Sequence, residues 1–197
     1  MRYPPDQKLK ARAALLAAGM QEMKAAGFDG VGVDALSAAA DVTSGAFYSN
    51  FASKEEMLRS VIEMALGEPF LTETQAAAKA DRHAQLKRFL TDYLSVRHVE
   101  DPGGGCVMPA LSADVSRAGQ GTREAYESRI VALAERVAES LDGRRSDRER
   151  KAWSVIAMMV GAVSIARAMA ETDTQSEVIA AARRTANRLI APREDSQ

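Results

Sequence analysis

The run Thr43-Ser44-Gly45-Ala46-Phe47-Tyr48-Ser49-Asn50-Phe51, followed by Ala52-Ser53-Lys54-Glu55-Glu56-Met57-Leu58, holds the residues best suited to a chemical task. The task is hydrogen bonding, not bond breaking. Thr43 sits where a helix N-cap is expected, its hydroxyl able to accept from a backbone N–H one turn on, and Gly45 has no Cβ to hold a neighbouring backbone away. A duplex major groove admits a helix with little bulk on its first turn, and the hydroxyls and amide of Thr43, Ser44, Ser49 and Asn50 can bond phosphates or base edges there. Phe47 and Phe51, four apart, share one face and can bury it. Spacing alone equally suits an ordinary short connecting helix whose Ser and Thr are solvated.

A helix of about seven residues does not persist in water, so neighbours must hold it. Upstream, Leu9, Ala13, Leu16, Met20 and Met23 repeat at helical spacing and predict an amphipathic first helix, stopped by Gly27 with Phe28 placed to pack back on its last turn. Residues 33–40 read as a second helix, broken at Asp41-Val42 before Thr43 starts the third; helix, tight turn, helix is a DNA-binding arrangement. Downstream, Ser53 and Glu56 have capping-box spacing, and Met57, Leu58, Val61, Ile62 and Ala65 give the apolar face of a fourth helix.

The same run resembles, almost position by position, the stretch that identifies TetR-type transcriptional regulators, in which a capped recognition helix ends in aromatic-x-x-Phe and is followed by Ser-Lys-Glu. The resemblance implies that Thr43 caps the recognition helix and touches phosphate, that Ser44 and Ala46 face the bases, that Gly45 permits close approach, and that Tyr48 and Lys54 hold the DNA backbone. Asn50 stands where the family usually has His, Ser44 where it often has Lys or Arg, and Asp41 where it has a turn Gly. The reading surface is therefore less basic than the pattern, and the turn relies on Asp accepting a left-handed conformation. The family implies about nine helices: three in a DNA-binding unit, middle helices around an effector pocket, and the last two pairing with a second copy. The motif-level match ends near Leu58.

At 197 residues, with 46% hydrophobic and 27% charged residues, the chain has the composition of a folded protein, with fraying expected at Met1 to Asp6 and from Ala191 onward. No apolar run follows Arg2, so a secretion signal is not expected, and a lone Cys106 excludes an intramolecular disulfide framework; a reducing cytoplasm is the expected setting. Residues 152–166 are the most apolar stretch but fall short of the roughly 20 needed to span a bilayer, so no membrane association is expected. A helix apolar nearly all round is instead packed on both sides, here against a second subunit.

Formal net charge is −1, and residues 1–60 balance Arg2, Lys8, Lys10, Arg12, Lys24, Lys54 and Arg59 against Asp6, Glu22, Asp29, Asp34, Asp41, Glu55 and Glu56. Bulk charge argues weakly against nucleic acid, but affinity comes from local phosphate contacts, and Lys8, Lys10 and Arg12 cluster at the start of the first helix. Without the motif these basic residues read as a solvated face.

Beyond residue 70 no segment alternates as a strand would. Leu86, Phe89, Leu90, Tyr93 and Leu94 mark a fifth helix, ended by Asp101-Pro102-Gly103-Gly104-Gly105. A sixth runs from Cys106 to Ser116, and Tyr126, Ile130, Leu133, Val137 and Leu141 stripe a seventh. Ser146 with Glu149 and Thr174 with Glu177 have the spacing of capping boxes opening an eighth and a ninth, the last with Val178, Ala182, Thr185 and Leu189 on one face. The expected fold is all-α, with a helix-turn-helix DNA-binding domain over residues 9–69 and an effector-binding and dimerisation domain over residues 70–191.

Cys106 reads either as a small buried hydrophobe or as an accessible thiol at a helix start, open to oxidants or electrophiles. Phe89, Tyr93, Met108, Tyr126 and Met158, with Cys106, are candidate ligand-binding residues; plain core uses the same residue types. His83 and His98 are the only histidines, and no metal-ligand cluster, phosphate loop or nucleophile with a base accompanies them, so neither an enzyme, a metal nor a cofactor is expected. The sequence reads as a homodimeric regulator, released from palindromic double-stranded operator DNA by a small-molecule or thiol-reactive effector. The alternative is a helical ligand-binding or scaffold dimer that no longer binds DNA.

Overall fold

The computed structural model describes residues 5–192 and places eleven helices among them: α1 Pro5–Ala26, α2 Val33–Ala39, α3 Ser44–Asn50, α4 Lys54–Ala65, α5 Glu68–Thr74, α6 Lys79–Tyr93, α7 Val96–Glu100, α8 Val107–Arg117, α9 Gln120–Glu139, α10 Arg145–Arg167 and α11 Thr172–Ile190. The described residues contain no strand. Of the fraying expected over Met1 to Asp6 and from Ala191 onward, residues 1–4 and 193–197 lie outside the described residues, whereas Pro5 and Asp6 open α1. Against the nine expected helices, the short α5 and α7 are additional. Gly67, at φ 71°, turns the chain between α4 and α5, and the Ser95 hydroxyl caps α7 by accepting from the His98 N–H.

The chain forms two compact units. One comprises residues up to Leu66 together with Pro102–Arg129; the other comprises Gly67–Asp101 and residues from Ile130 on. The sequence reading divides the chain once, between residues 69 and 70, whereas α8 and the first half of α9 return to the N-terminal helices.

In the first unit α1 runs to Ala26 and stops where Gly27 takes φ 80°, its N–H still bonded to the Met23 carbonyl. The buried face of α1 follows the expected stripe only in part. Met23 is buried as expected and Leu16 and Met20 are half-buried, but Leu9 is 67% exposed and Ala13 is exposed, while Leu15 and Gly19 are buried. Residues 13–18 are all Ala or Leu, so more than one stripe fits the sequence there. A Cβ on Gly19 would stand 2.6 Å from the Met57 sulfur, so a larger residue would have to displace the Met57 side chain. On α4 the expected Met57, Leu58, Val61 and Ile62 are all buried.

Polar contacts fasten α8 and α9 to this head. The Asp114 carboxylate accepts from the Phe28 N–H at 3.1 Å, the buried Lys24 ammonium donates to the Gly105 carbonyl at 2.7 Å, and Glu55 accepts from the Gly119 N–H and the Thr122 hydroxyl. The Arg129 guanidinium donates twice to the Leu66 carbonyl that ends α4.

In the second unit α10 and α11 pack along each other, with Val155, Ile156, Met159 and Val163 of α10 buried. The expected capping boxes do not open these helices. Helix α10 starts at Arg145, where Glu149 pairs with Arg145 at 2.6 Å and Asp147 accepts from Arg144 and Arg150. Helix α11 starts at Thr172, two residues before Thr174, and its first turn has no side-chain cap. Its fully buried row is Ile179, Ala186 and Ile190; the expected row of Val178, Ala182, Thr185 and Leu189 lies beside it, half-buried. The stripe on α9 holds, with Leu133, Val137 and Leu141 buried.

Candidate nucleic-acid interface

Helix α3 is made locally and held from a distance. Asp41 takes φ 54°, the only positive φ at a non-glycine among the described residues, and this turns the chain out of α2. Val42 donates its N–H back to the Ser37 carbonyl, and the Thr43 hydroxyl then caps α3 by accepting from the Ala46 N–H at 3.2 Å. The helix ends at Phe51, whose backbone is extended. Phe47 and Phe51 are buried with ring centroids 5.6 Å apart, as their spacing suggests.

One cation props this short helix and a second fixes the loop between α1 and α2. The Arg12 guanidinium, on α1, donates to the Asn50 carbonyl and to the Ser60 hydroxyl and lies 4.2 Å over the Phe51 ring. The Lys54 ammonium donates to the Phe28 carbonyl at 2.8 Å and the Val31 carbonyl at 3.1 Å, and sits 4.2 Å over the Phe28 ring. Lys54 thus fastens the loop between α1 and α2. Behind it Ser53 caps α4 by accepting from the Glu56 N–H at 3.0 Å, while Glu56 reaches past Ser53 to accept from the Ala52 N–H at 2.7 Å.

The opposite face of α3 is open. Thr43, Gly45, Tyr48 and Ser49 are exposed, Ser44, Ala46 and Asn50 half-buried, and Tyr48 is 61% exposed with its ring edge-on to Phe47. A Cβ built on Gly45 would meet only the Thr43 hydroxyl oxygen, at 3.7 Å, so nothing in the chain itself requires glycine there. Ser49 donates to the Gly45 carbonyl and Asn50 donates to the Ala46 carbonyl. Ser44 donates at 2.6 Å to Asp34, an exposed residue of α2 that the sequence reading passes over. Helix α3 carries no basic residue; Lys8 and Lys10, near the start of α1, are exposed.

The candidate ligand-binding residues fall into the two units, three in each. Phe89 and Tyr93 belong to an aromatic row in which Phe70 stacks on Phe89 at 5.0 Å and Tyr93 meets His98 edge-on at 4.5 Å; Met158 is half-buried on α10. In the first unit Cys106 is half-exposed and caps α8, its sulfur 3.5 Å from the Met108 N–H, and Met108 is fully buried. The Tyr126 hydroxyl lies 2.7 Å from that of Ser112, and its pKa is raised, chiefly by burial. Among the described residues no three of His, Cys, Asp and Glu are grouped to hold a metal, and no helix is long and apolar enough to cross a membrane.

Arg12, Asp34, Lys24, Glu55 and Asp114 are the polar residues that sequence reasoning missed or misplaced. Asp34 reaches Ser44 across ten residues, and the others act across long separations that no periodicity reports, 38 residues for Arg12 to Asn50 and 64 for Glu55 to Gly119.

Residues 15–61 match the family described as bacterial regulatory proteins, tetR family. A comparison of the sequence with curated proteins gives no significant match. The fold is similar to that of a TetR-family transcriptional regulator from Agrobacterium tumefaciens, at TM-score 0.74 and 13% identity over 93% of this chain and 100% of that one. It is also similar to E. coli NemR in its reduced form, at TM-score 0.72 and 22% identity over 93% and 98%. The transcriptional regulator FadR from Bacillus subtilis, in complex with stearoyl-CoA, matches at TM-score 0.66 and 14% identity over 92% and 99%. Residues 15–61 thus match the model of the tetR family of bacterial regulatory proteins, and they lie in a chain whose all-helical fold is similar to that of TetR-family structures.

Proposed function

We propose that this DNA-binding regulator is a homodimeric repressor that leaves a palindromic operator when an effector is bound. The observation that carries the reading is the exposed face of α3, held outward by Arg12 and by the buried Phe47 and Phe51. Thr43, Ser44, Gly45, Ala46, Tyr48, Ser49 and Asn50 meet the DNA, with Gly45 leaving room for close approach. Lys54 sets the loop behind them in this conformation. Sequence-specific docking of this kind needs two such helices about 34–36 Å apart on a twofold dimer. The second copy pairs through α10 and α11, where Trp153 and Ile165 of α10 are 44% and 50% exposed and the row Val178, Ala182, Thr185 and Leu189 is half-buried.

The effector is a small molecule or a thiol-reactive compound acting at Cys106, and no catalysis is involved. Support for the first comes from FadR, a similar fold that holds stearoyl-CoA, and for the second from the half-exposed Cys106 thiol. An effector shifts the DNA-binding equilibrium only as far as it prefers the released conformation, and couplings of about 1–3 kcal/mol change operator affinity roughly 5- to 150-fold.

A fluorescence anisotropy titration with palindromes from the gene's own upstream region, at several salt concentrations, tests the reading. Tight binding that weakens steeply with salt is expected. Absent or salt-insensitive binding would favour the scaffold alternative, to which the lack of a basic residue on α3 and the engagement of Lys54 lend some weight. A Cys106→Ser protein that still releases DNA under oxidant would remove the thiol route.

A further inference from the structure

We propose that Asp34 and Ser44 act as one specificity-determining pair that selects a cytosine in the recognised sequence. The proposal rests on the DNA-binding reading of α3 and deepens it. A hydroxyl has a single proton and two lone pairs, and an ionised carboxylate only accepts. Ser44 spends its proton on Asp34 Oδ1 at 2.6 Å. What the pair shows to solvent is therefore acceptors alone: the Ser44 lone pairs and the second Asp34 oxygen, which has no protein partner among the described residues.

The donors that remain on this face, the Thr43 and Tyr48 hydroxyls, lie outside the pair. Ser49 commits its proton to the Gly45 carbonyl, Asn50 turns its amide N–H to the Ala46 carbonyl, and α3 has no Lys or Arg. Guanine shows two acceptors in the major groove, N7 and O6, and thymine shows O4; each would face acceptors across the interface and is disfavoured. The amino groups of cytosine and adenine are the donors that fit. Adenine N6 lies between two acceptors, its own N7 and O4 of the paired thymine. Cytosine N4 has an acceptor on one side only, leaving the other side open to a carboxylate. The pair thus favours cytosine, at some cost in overall affinity from a negative charge near phosphates.

The test is enrichment of binding sites from a random duplex library by the full-length protein, by Asp34→Asn and by Asp34→Ala. The wild type is expected to enrich a motif with a cytosine at one position, where replacement weakens binding about 5- to 10-fold, as for a single base contact. Asp34→Asn should enrich the same motif with that preference lost. Asp34→Ala frees the Ser44 proton and should move the position toward guanine or thymine. The unchanged remainder of the motif shows that each variant still folds its reading head. An unaltered cytosine preference in both variants, or a wild-type motif whose strongly selected positions are all A·T pairs, would overturn the pair. No enriched motif from the wild type would overturn the DNA-binding reading beneath it.

Discussion

Glu55 on α4 accepts from the Gly119 N–H at 2.8 Å, just ahead of α9, and the same carboxylate oxygen accepts from the Thr122 hydroxyl at 2.9 Å. A carboxylate at a helix start satisfies orphan donors and meets the positive end of the helix dipole. This one comes from the helix that supports α3. The start of α9 and the support of the reading head are therefore joined by one side chain, so displacing either strains the other. Thr122 is only 3% exposed, and removing Glu55 leaves its hydroxyl without that acceptor. Glu55→Ala should cost about 1–3 kcal/mol in urea unfolding, the penalty of an orphaned buried donor. A loss below roughly 0.5 kcal/mol, the level of an ordinary surface substitution, would show that this hydrogen-bonded link carries no structure.

Lys54 and Lys10 differ as a strut differs from a phosphate ligand. The Lys54 ammonium serves two loop carbonyls and the Phe28 ring, whereas Lys10 is exposed near the start of α1. Removing one cation that neutralises a phosphate should flatten the slope of log affinity against log salt by about 0.9. Lys10→Ala should show that change. Lys54→Met should lower operator affinity and stability while keeping the wild-type slope, because the loop behind α3 is untied while the phosphates keep their cations. A flattened slope in Lys54→Met would return this lysine to the DNA surface, the role the family resemblance implies for it.

The features legible in the sequence are those whose cause lies within one turn of the residue. Thr43 and Ser53 as caps and Gly27 as a stop follow from local backbone chemistry, and the left-handed turn at Asp41 follows from the turn glycine of the pattern it resembles; all four stand where they are expected. The exposed face of α3 is legible for the same reason. Choices among equivalent local options are not. The Ser146 and Thr174 spacings imitate capping boxes, but α10 and α11 begin earlier, at Arg145 and Thr172. The face α1 buries sets Gly19 against Met57, and the return of α8 to the head is fastened by the hydrogen bonds of Asp114 and Lys24. Those interactions join residues that no periodicity relates.

Asp41 isolates the backbone cost of the turn into α3. At φ 54° an L residue pays roughly 1–2 kcal/mol unless, like Asp or Asn, it tolerates the left-handed region. Asp41→Val should lose about that amount and lower the melting temperature by roughly 2–8 °C for a chain of this size. Asp41→Gly relieves the same strain but frees the unfolded chain, so it should fall within about 0.5 kcal/mol of the wild type. Equal melting temperatures for the Val and wild-type proteins would show that the turn relaxes at no cost.

Tyr126 gives the first unit a pH dependence of known sign. Ser112 donates its proton to the Met108 carbonyl at 2.6 Å, so the phenol, 2.7 Å away, donates to Ser112. Burial, the main cause, raises the Tyr126 pKa above its ordinary 10.0 and negative charge on Cys106 adds to the rise; Ser112 opposes it only by turning its proton from Met108 to the phenolate. A raised folded-state value means the fold favours the protonated phenol. That contribution is complete below about pH 10 and is lost as pH climbs through the folded-state value. Tyr126→Phe removes the ionisation and, at neutral pH, one hydrogen bond worth about 0.5–1.5 kcal/mol. Urea unfolding of both proteins from pH 8 to 11 should therefore show the wild type more stable by a constant margin at first. Above about pH 10 the margin should narrow as the wild type alone pays to keep its phenol protonated. A margin unchanged through pH 11 would show that burial of this hydroxyl does not govern its ionisation.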